Sequence, residues 1–155
     1  MAMHECVIAT PVGSVRIVHD EVGLTALTRT DAPLCPPSTP LLQEAVRQLD
    51  AYFAGQLTAF DLPLHMTGTP FQLRCWQSLT EIPFGETISY GEQARRVGNE
   101  KACRAVGGAN HRNPICIIVP CHRVIGADGS LTGYGGGLDV KRWLLAHEQN
   151  VIHRK

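Results

Sequence analysis

No stretch of this 155-residue chain is long and apolar enough to cross a bilayer. The longest unbroken apolar run of its second half, Ile115–Cys121, contains a proline, whereas a spanning helix needs about 20 residues. The start, Met1-Ala2-Met3-His4-Glu5-Cys6, lacks a basic region followed by an apolar run, so a secretory signal is not expected. None of the six cysteines, at positions 6, 35, 75, 103, 116 and 121, forms a CxxC pair, and their spacing is irregular. A chain this long does not need staples, so the thiols read as reduced and the protein as cytoplasmic. Net charge is also missing: 14 basic residues balance 14 acidic ones, which excludes a protein that holds polyanions by bulk charge. No Gly-Lys-Ser/Thr follows the glycine-rich stretch Gly126–Gly137, which excludes a phosphate loop. What is present is ample apolar material, 44% of residues against 18% charged, enough for a real core in one domain or one domain with a small appendage.

The neutral total hides an uneven distribution. Residues 1–88 carry 4 basic and 9 acidic side chains, residues 89–123 carry 6 and 2, and residues 124–155 carry 4 and 3. An acidic first half therefore precedes a basic middle. Such a middle is either an ordinary solvated helix pair or a surface that faces phosphate.

The first half reads as an α/β subdomain over residues 1–67. Cys6–Thr10 and Ser14–His19 are β-branched runs around the turn Pro11-Val12-Gly13, and Gly23–Thr28 adds a third strand, giving a small antiparallel sheet. Thr39-Pro40 is an N-cap with a first-turn proline, and Leu42, Ala45, Val46, Leu49, Tyr52 and Phe53 follow at helical spacing up to Gly55. Phe60–Leu64 is expected as one more strand. No motif in this half carries chemistry, and it reads as a scaffold.

The second half, residues 68–155, reads as a mostly α domain. Thr69-Pro70-Phe71-Gln72 is a capping box opening a helix to about Glu81, with Phe71, Trp76 and Leu79 toward the core; Pro83 and Gly85 then break it. Ser89-Tyr90-Gly91-Glu92 reads as a second capping box, for a helix to about Val97. Gly98 closes that helix and Lys101–Asn110 forms another, so the pair resembles a helix-turn-helix of winged-helix-like type. The second member is rich in small residues, Ala102, Ala105, Gly107, Gly108 and Ala109, with Arg104 among them. Small residues admit another backbone closely: tight helix packing is one reading, and a shape-read or minor-groove DNA contact is the one the basic excess favours.

Chemistry concentrates after Asn113-Pro114. Ile115–Val119 reads as a buried strand that delivers Pro120-Cys121-His122-Arg123. A thiol beside cations is a candidate nucleophile, although a buried inert cysteine is the commoner case. A metal set of Cys116, Cys121 and His122 matches no zinc spacing. Leu138–His147 forms a final amphipathic helix, with Val140, Trp143, Leu144 and Leu145 as its stripe. Near its end stands Glu148, either a solvated charge or the orienter of a histidine.

Taken together, Ser89-Tyr90-Gly91, Arg104–Ala109, Asn113-Pro114, Ile118–Ile125, Gly133-Tyr134 and Lys141–Glu148 closely resemble the O6-alkylguanine-DNA alkyltransferases of the single-domain bacterial type. The resemblance covers about residues 68–148, and Pro-Cys-His-Arg behind Asn-Pro is its specific core. It implies DNA repair by direct reversal, with one irreversible transfer of an alkyl group from O6-alkylguanine or O4-alkylthymine in a flipped-out base to Cys121, and no cofactor. It further implies His122 as base through a water, Glu148 as its orienter, and Tyr90 as flipping aid and proton donor. Arg104 would be the finger that fills the gap, with Ala105, Gly107, Ser89 and Arg112 at the DNA. Asn113 would be the hinge, and Tyr134, Val124, Gly135 and Lys141 the pocket. The partner would be double-stranded DNA entered by the minor groove, bound by a monomer that needs no membrane and no obligate protein partner, with cooperativity along DNA left open. Gly135 stands where some relatives carry serine, which predicts tolerance of alkyl groups bulkier than methyl. Asp20 and Thr25 stand where some relatives hold zinc, so no metal is carried over. A binding-only relative is argued against by Cys121, a plain helix-turn-helix regulator by the Cys-His-Glu set, and a thiol hydrolase by the small-residue helix with its lone arginine.

Overall fold

The computed structural model describes residues 2–134 and 137–154. The chain divides into two compact units, 1–66 and 67–155.

In the first unit, β1 (His4–Ile8), β2 (Val15–His19) and β3 (Leu24–Arg29) form an antiparallel sheet in chain order. Cys6 faces Ile17, and Ile17 faces Leu27, so that the apolar residues of all three strands meet on one face. The β1–β2 turn closes with Gly13 N–H donating to Thr10 O at 3.0 Å, and Gly13 holds φ 105°, a conformation open chiefly to glycine. Helix α1 (Pro40–Phe53) starts at Thr39, whose hydroxyl accepts from Leu42 N. Leu42, Ala45, Leu49 and Tyr52 are buried on one stripe, whereas Val46 and Phe53 are only half-buried.

Two expectations change in this unit. The first strand lies two residues earlier than Cys6–Thr10, because Pro11 and Gly13 leave Thr10 to the turn. Phe60–Leu64 is no strand: Leu64 forms a single parallel bridge with Leu24, and Pro63, which lacks an N–H, offers only its carbonyl to Leu24 N at 2.8 Å.

In the second unit, α2 (Pro70–Thr80) carries the full capping box between Thr69 and Gln72. A two-residue strand β4 (Ile88–Ser89) leads into α3 (Tyr90–Arg96), and α4 (Cys103–His111) follows across the Gly98 turn. After the 3-10 turn Cys121–Arg123, β5 (Val124–Ile125) pairs parallel with β4, and α5 (Leu138–Ile152) ends the unit. Cys75, Ala94, Val106 and Ala109 form the core of the helix-turn-helix, with Phe71 and Tyr90 packed against it. Within it, Gln93 and Asn110 exchange two amide hydrogen bonds, at 3.0 and 2.7 Å, and Trp76 Nε1 donates to Ala109 O at 2.8 Å.

Corrections here bear on the site. The second capping box is half a box: Ser89 accepts from Glu92 N, but the Glu92 carboxylate turns outward to Arg95 and Arg96. The fourth helix begins at Cys103, not Lys101, since the N–H of Ala102 closes a turn onto Asn99 O. Ile115–Val119 is not a strand. Val119 N–H donates to Ile115 O at 3.0 Å, Ile118 N–H to Cys116 O at 2.8 Å, and Ile117 sits at φ 73°. Apolarity marked this run as buried, and it is, but periodicity does not separate a buried strand from a buried turn. The last helix continues to Ile152, which places Glu148 inside it rather than past its end.

Candidate active site

Pairing of β4 with β5 sets the geometry. Ile88 faces Val124 and Ser89 faces Ile125, so Tyr90, next after β4, is fastened beside the chain that has just left Cys121-His122-Arg123. Helix α5 supplies Lys141 and Glu148, which lie two turns apart on its buried face, with Leu144 between them.

Glu148 is 1% exposed and accepts from three groups. His122 Nε2 lies 2.6 Å from Oε2, Arg123 donates through Nε at 2.9 Å and Nη2 at 3.1 Å, and Gly85 N–H donates at 3.0 Å. Burial alone would push its pKa up. The bonds and charges of His122 and Arg123 outweigh burial and hold the carboxyl well below the usual carboxylate range. Gly85 reaches Oε1 at φ 82°, and a Cβ there would stand 2.9 Å from Ile152, so the position requires glycine.

His122 is wholly buried, and burial pushes its pKa down against the pull of Glu148. A neutral ring facing an ionised carboxylate carries its proton on Nε2. Nδ1 is then a bare acceptor, buried and without a hydrogen-bond partner among the described residues. This orphaned lone pair belongs to the residue next to Cys121.

Cys121 is 5% exposed. Contact with the Cys116 thiol, then burial, raise its pKa well above the ordinary thiol range, while the Asn113 side chain and the Lys141 charge pull the other way. At neutral pH the group is a thiol and needs a base. Asn113, also buried, spans the turn: Nδ2 donates to Val119 O at 2.7 Å and Oδ1 accepts from Ile115 N at 2.9 Å. Lys141 Nζ donates to Val124 O at 2.7 Å and Thr132 O at 2.9 Å and lies 3.5 Å from Tyr90 Oη. The Tyr90 hydroxyl itself donates to Thr132 O at 2.9 Å. Tyr134 is buried beside the Cys116 thiol.

The residues singled out from sequence therefore fall into two groups. Cys121, His122, Glu148, Asn113, Tyr90, Val124, Tyr134 and Lys141 converge, with the Val124 carbonyl already occupied by Lys141. Arg104 and Ala105 are exposed on α4, Gly107 packs near the Tyr90 ring, and Arg112 is exposed just past the helix. The Ser89 hydroxyl is occupied as the cap of α3. Gly135 lies outside the described residues.

From sequence, Gly85 read only as a helix breaker, Cys116 only as a member of a metal set of the wrong spacing, and Arg123 had no role of its own. Arg123 stood in the motif, and a buried arginine must find a carboxylate, but sequence does not reveal burial. Among the described residues no helix is long and apolar enough to cross a membrane.

Comparison with known proteins places the chain in one family. Residues 3–66 match the family model described as the ribonuclease-like domain of 6-O-methylguanine DNA methyltransferase, and residues 70–150 match its DNA binding domain. The methylated-DNA–protein-cysteine methyltransferase of Methanosarcina acetivorans is 49% identical over 153 residues, which is 94% of this chain and 98% of that protein. That of Mycobacterium leprae is 52% identical, covering 92% of this chain and 90% of its own. The crystal structure of the Mycobacterium tuberculosis O6-methylguanine methyltransferase superposes with TM-score 0.87 at 48% identity, covering 96% of this chain and 94% of that one. A structure of Mycobacterium tuberculosis OGT in complex with DNA gives 0.88 at 49% identity, with the same two coverages. The chain belongs to the 6-O-methylguanine DNA methyltransferase family.

Proposed function

We propose that this protein repairs DNA by direct reversal, moving an alkyl group from O6 of guanine, or O4 of thymine, in a flipped-out base onto Cys121. The observation that carries the reading is the unpartnered, buried Nδ1 of His122, held as an acceptor by the Glu148 carboxylate on Nε2. In the proposed step the Cys121 proton passes through a water to Nδ1. Sulfur attacks the alkyl carbon in line, the carbon–oxygen bond breaks, and its electron pair stays with the base. Tyr90 gives the base a proton, and Lys141 beside it stabilises the phenolate left behind. The product is a thioether with no leaving group suited to return, so each molecule acts once.

Residues 68–155 carry DNA binding and transfer in this reading, and residues 1–67 are structural. The stripe of α4 around Ala105, Gly107 and Gly108 meets the minor groove, where added bulk would obstruct a close approach. Arg104 enters the stack in place of the extruded base, which must leave the duplex before a buried thiol can reach it. Arg112 and Ser89 line the DNA side, Asn113 joins the recognition helix to the acceptor turn, and Tyr134 and Val124 wall the pocket. The protein works as a monomer.

Intact-protein mass after mixing with a duplex containing one O6-methylguanine tests this. A single methyl on Cys121, absent from Cys121→Ser and saturating at one per molecule, is the expected result. Tight binding to the lesion without any adduct would overturn it.

A further inference from the structure

Cys116 lies outside the transfer chemistry, yet it stands five residues before the acceptor thiol in the same closed turn. As a strand, the five steps from Cys116 to Cys121 would span roughly 16 Å and hold the two thiols apart. The chain instead reverses. The Val119 N–H bond to Ile115 O, the Ile118 N–H bond to Cys116 O, the Cys121 N–H bond to Val119 O at 2.8 Å and the two Asn113 side-chain bonds close the segment on itself. Ile117 adopts φ 73° within that reversal, a costly conformation for a β-branched residue. The reversal folds Cys116 back onto the Asn113 that also holds the Cys121 turn, with Cys116 Sγ 3.9 Å from Asn113 O, and each of the two thiols shifts the other's pKa. Both thiols are free, and Cys116 is the more exposed of the two.

We propose that Cys116 and Cys121 form an oxidation site, converted by a hydroperoxide into an intramolecular disulfide that withdraws the acceptor thiol from alkyl transfer until a thiol reductant restores it. The steps balance. The outer thiolate of Cys116 attacks the peroxide, the oxygen–oxygen bond breaks, an alcohol or water leaves, and Cys116 becomes a sulfenic acid. Cys121 sulfur then attacks Cys116 sulfur, giving up its proton, and hydroxide leaves as water. Two thiols are oxidised, one peroxide is reduced, and a thiol reductant reverses the change by exchange. The value of the arrangement follows from single use. An acceptor that cannot be regenerated after transfer is lost equally by over-oxidation, and a neighbouring thiol stops oxidation at a reducible stage. The blocking consequence rests on the reading of Cys121 as acceptor; the disulfide itself does not.

The two cysteines share one tryptic peptide, residues 113–123, bounded by Arg112 and Arg123. Reduced protein is treated with a few equivalents of hydrogen peroxide, blocked with iodoacetamide, digested and weighed, and methyl transfer from an O6-methylguanine duplex is measured before oxidation, after it, and after dithiothreitol. The expected peptide has lost two hydrogens and takes no iodoacetamide, with transfer lost on oxidation and regained on reduction. In Cys116→Ser, peroxide raised until Cys121 passes the sulfenic stage to sulfinic acid causes a loss of transfer that dithiothreitol does not restore, at a dose from which the parent recovers. A wild-type peptide that keeps both thiols while transfer falls, a disulfide from Cys121 to exposed Cys35 or Cys103, or equal recovery in Cys116→Ser would each overturn the proposal. Absence of transfer in the untreated protein would instead strike the functional reading, and the peptide mass would still decide the disulfide.

Discussion

Replacing Glu148 with glutamine tests the central inference, because one atom change removes a buried charge from three donors at once. Arg123, itself 6% exposed, is left without its counter-ion. Breaking a buried ion pair costs about 3–5 kcal/mol, and the surviving amide oxygen can still accept from Arg123 or Gly85, so the lower figure of about 3 kcal/mol applies. For a domain of this size each kcal/mol shifts the melting temperature by about 4–8 °C, so the variant melts about 12–24 °C lower. The chemical effect is separate. The new amide N–H₂ points a donor at His122 Nε2, the ring proton moves to Nδ1, and the atom proposed as base becomes a donor. Loss of a general base costs about 10²–10⁴-fold in rate. Single-turnover transfer to the variant, measured well below its melting point, falls by that factor and climbs as pH rises, because hydroxide then ionises the thiol without help. A folded variant that retains its rate within about tenfold of the parent would refute the tautomer argument, whatever its stability.

Other consequences are open to measurement. His122 is buried with its pKa lowered, so the unfolded chain binds a proton that the native one refuses. Stability therefore falls as pH drops below about 6.5, by up to about 1.4 kcal/mol per pH unit, and denaturant melts of His122→Gln should lack that slope. The depressed Glu148 carboxyl adds a second loss as pH falls below about 4.3, the range where the unfolded chain takes up that proton. Asn113→Ala removes two buried hydrogen bonds and should cost about 2–4 kcal/mol in chemical denaturation, with slower transfer because the acceptor turn loosens. Gly108 has open space where a Cβ would go, so Gly108→Glu should keep or slightly raise the melting temperature through better helix propensity; binding to any duplex should nevertheless weaken in a fluorescence titration.

Much of the site could be read from the chain because its determinants are local. Thr39-Pro40 and Thr69-Pro70 cap their helices with their own neighbours, and Pro-Cys-His-Arg holds the proposed nucleophile and base in adjacent positions. What escaped depends on partners far away in sequence. Glu148 was legible as the partner of His122 through the family resemblance, but not as the carboxylate that Arg123 and Gly85 also hold. Glu92, correctly spaced for a capping box, prefers two arginines a turn further on, and spacing alone cannot rank those choices. Ile115–Val119 misleads for a physical reason: apolar content reports burial, whereas the reversal is imposed by Asn113 and by a strained Ile117 that side-chain pattern does not announce.

The reciprocal amide pair of Gln93 and Asn110 has a consequence for how DNA would be met. Two amides that satisfy each other in both directions fit one alignment of α3 and α4, and any slip leaves buried donors bare. The recognition element therefore arrives already rigid and gives up little freedom on contact. Under the proposed function, the cost of distortion then falls on the duplex rather than on the protein. A damaged or mismatched step, which opens more cheaply than a sound one, becomes the easier place to settle, and part of lesion discrimination is delegated to the mechanics of the nucleic acid.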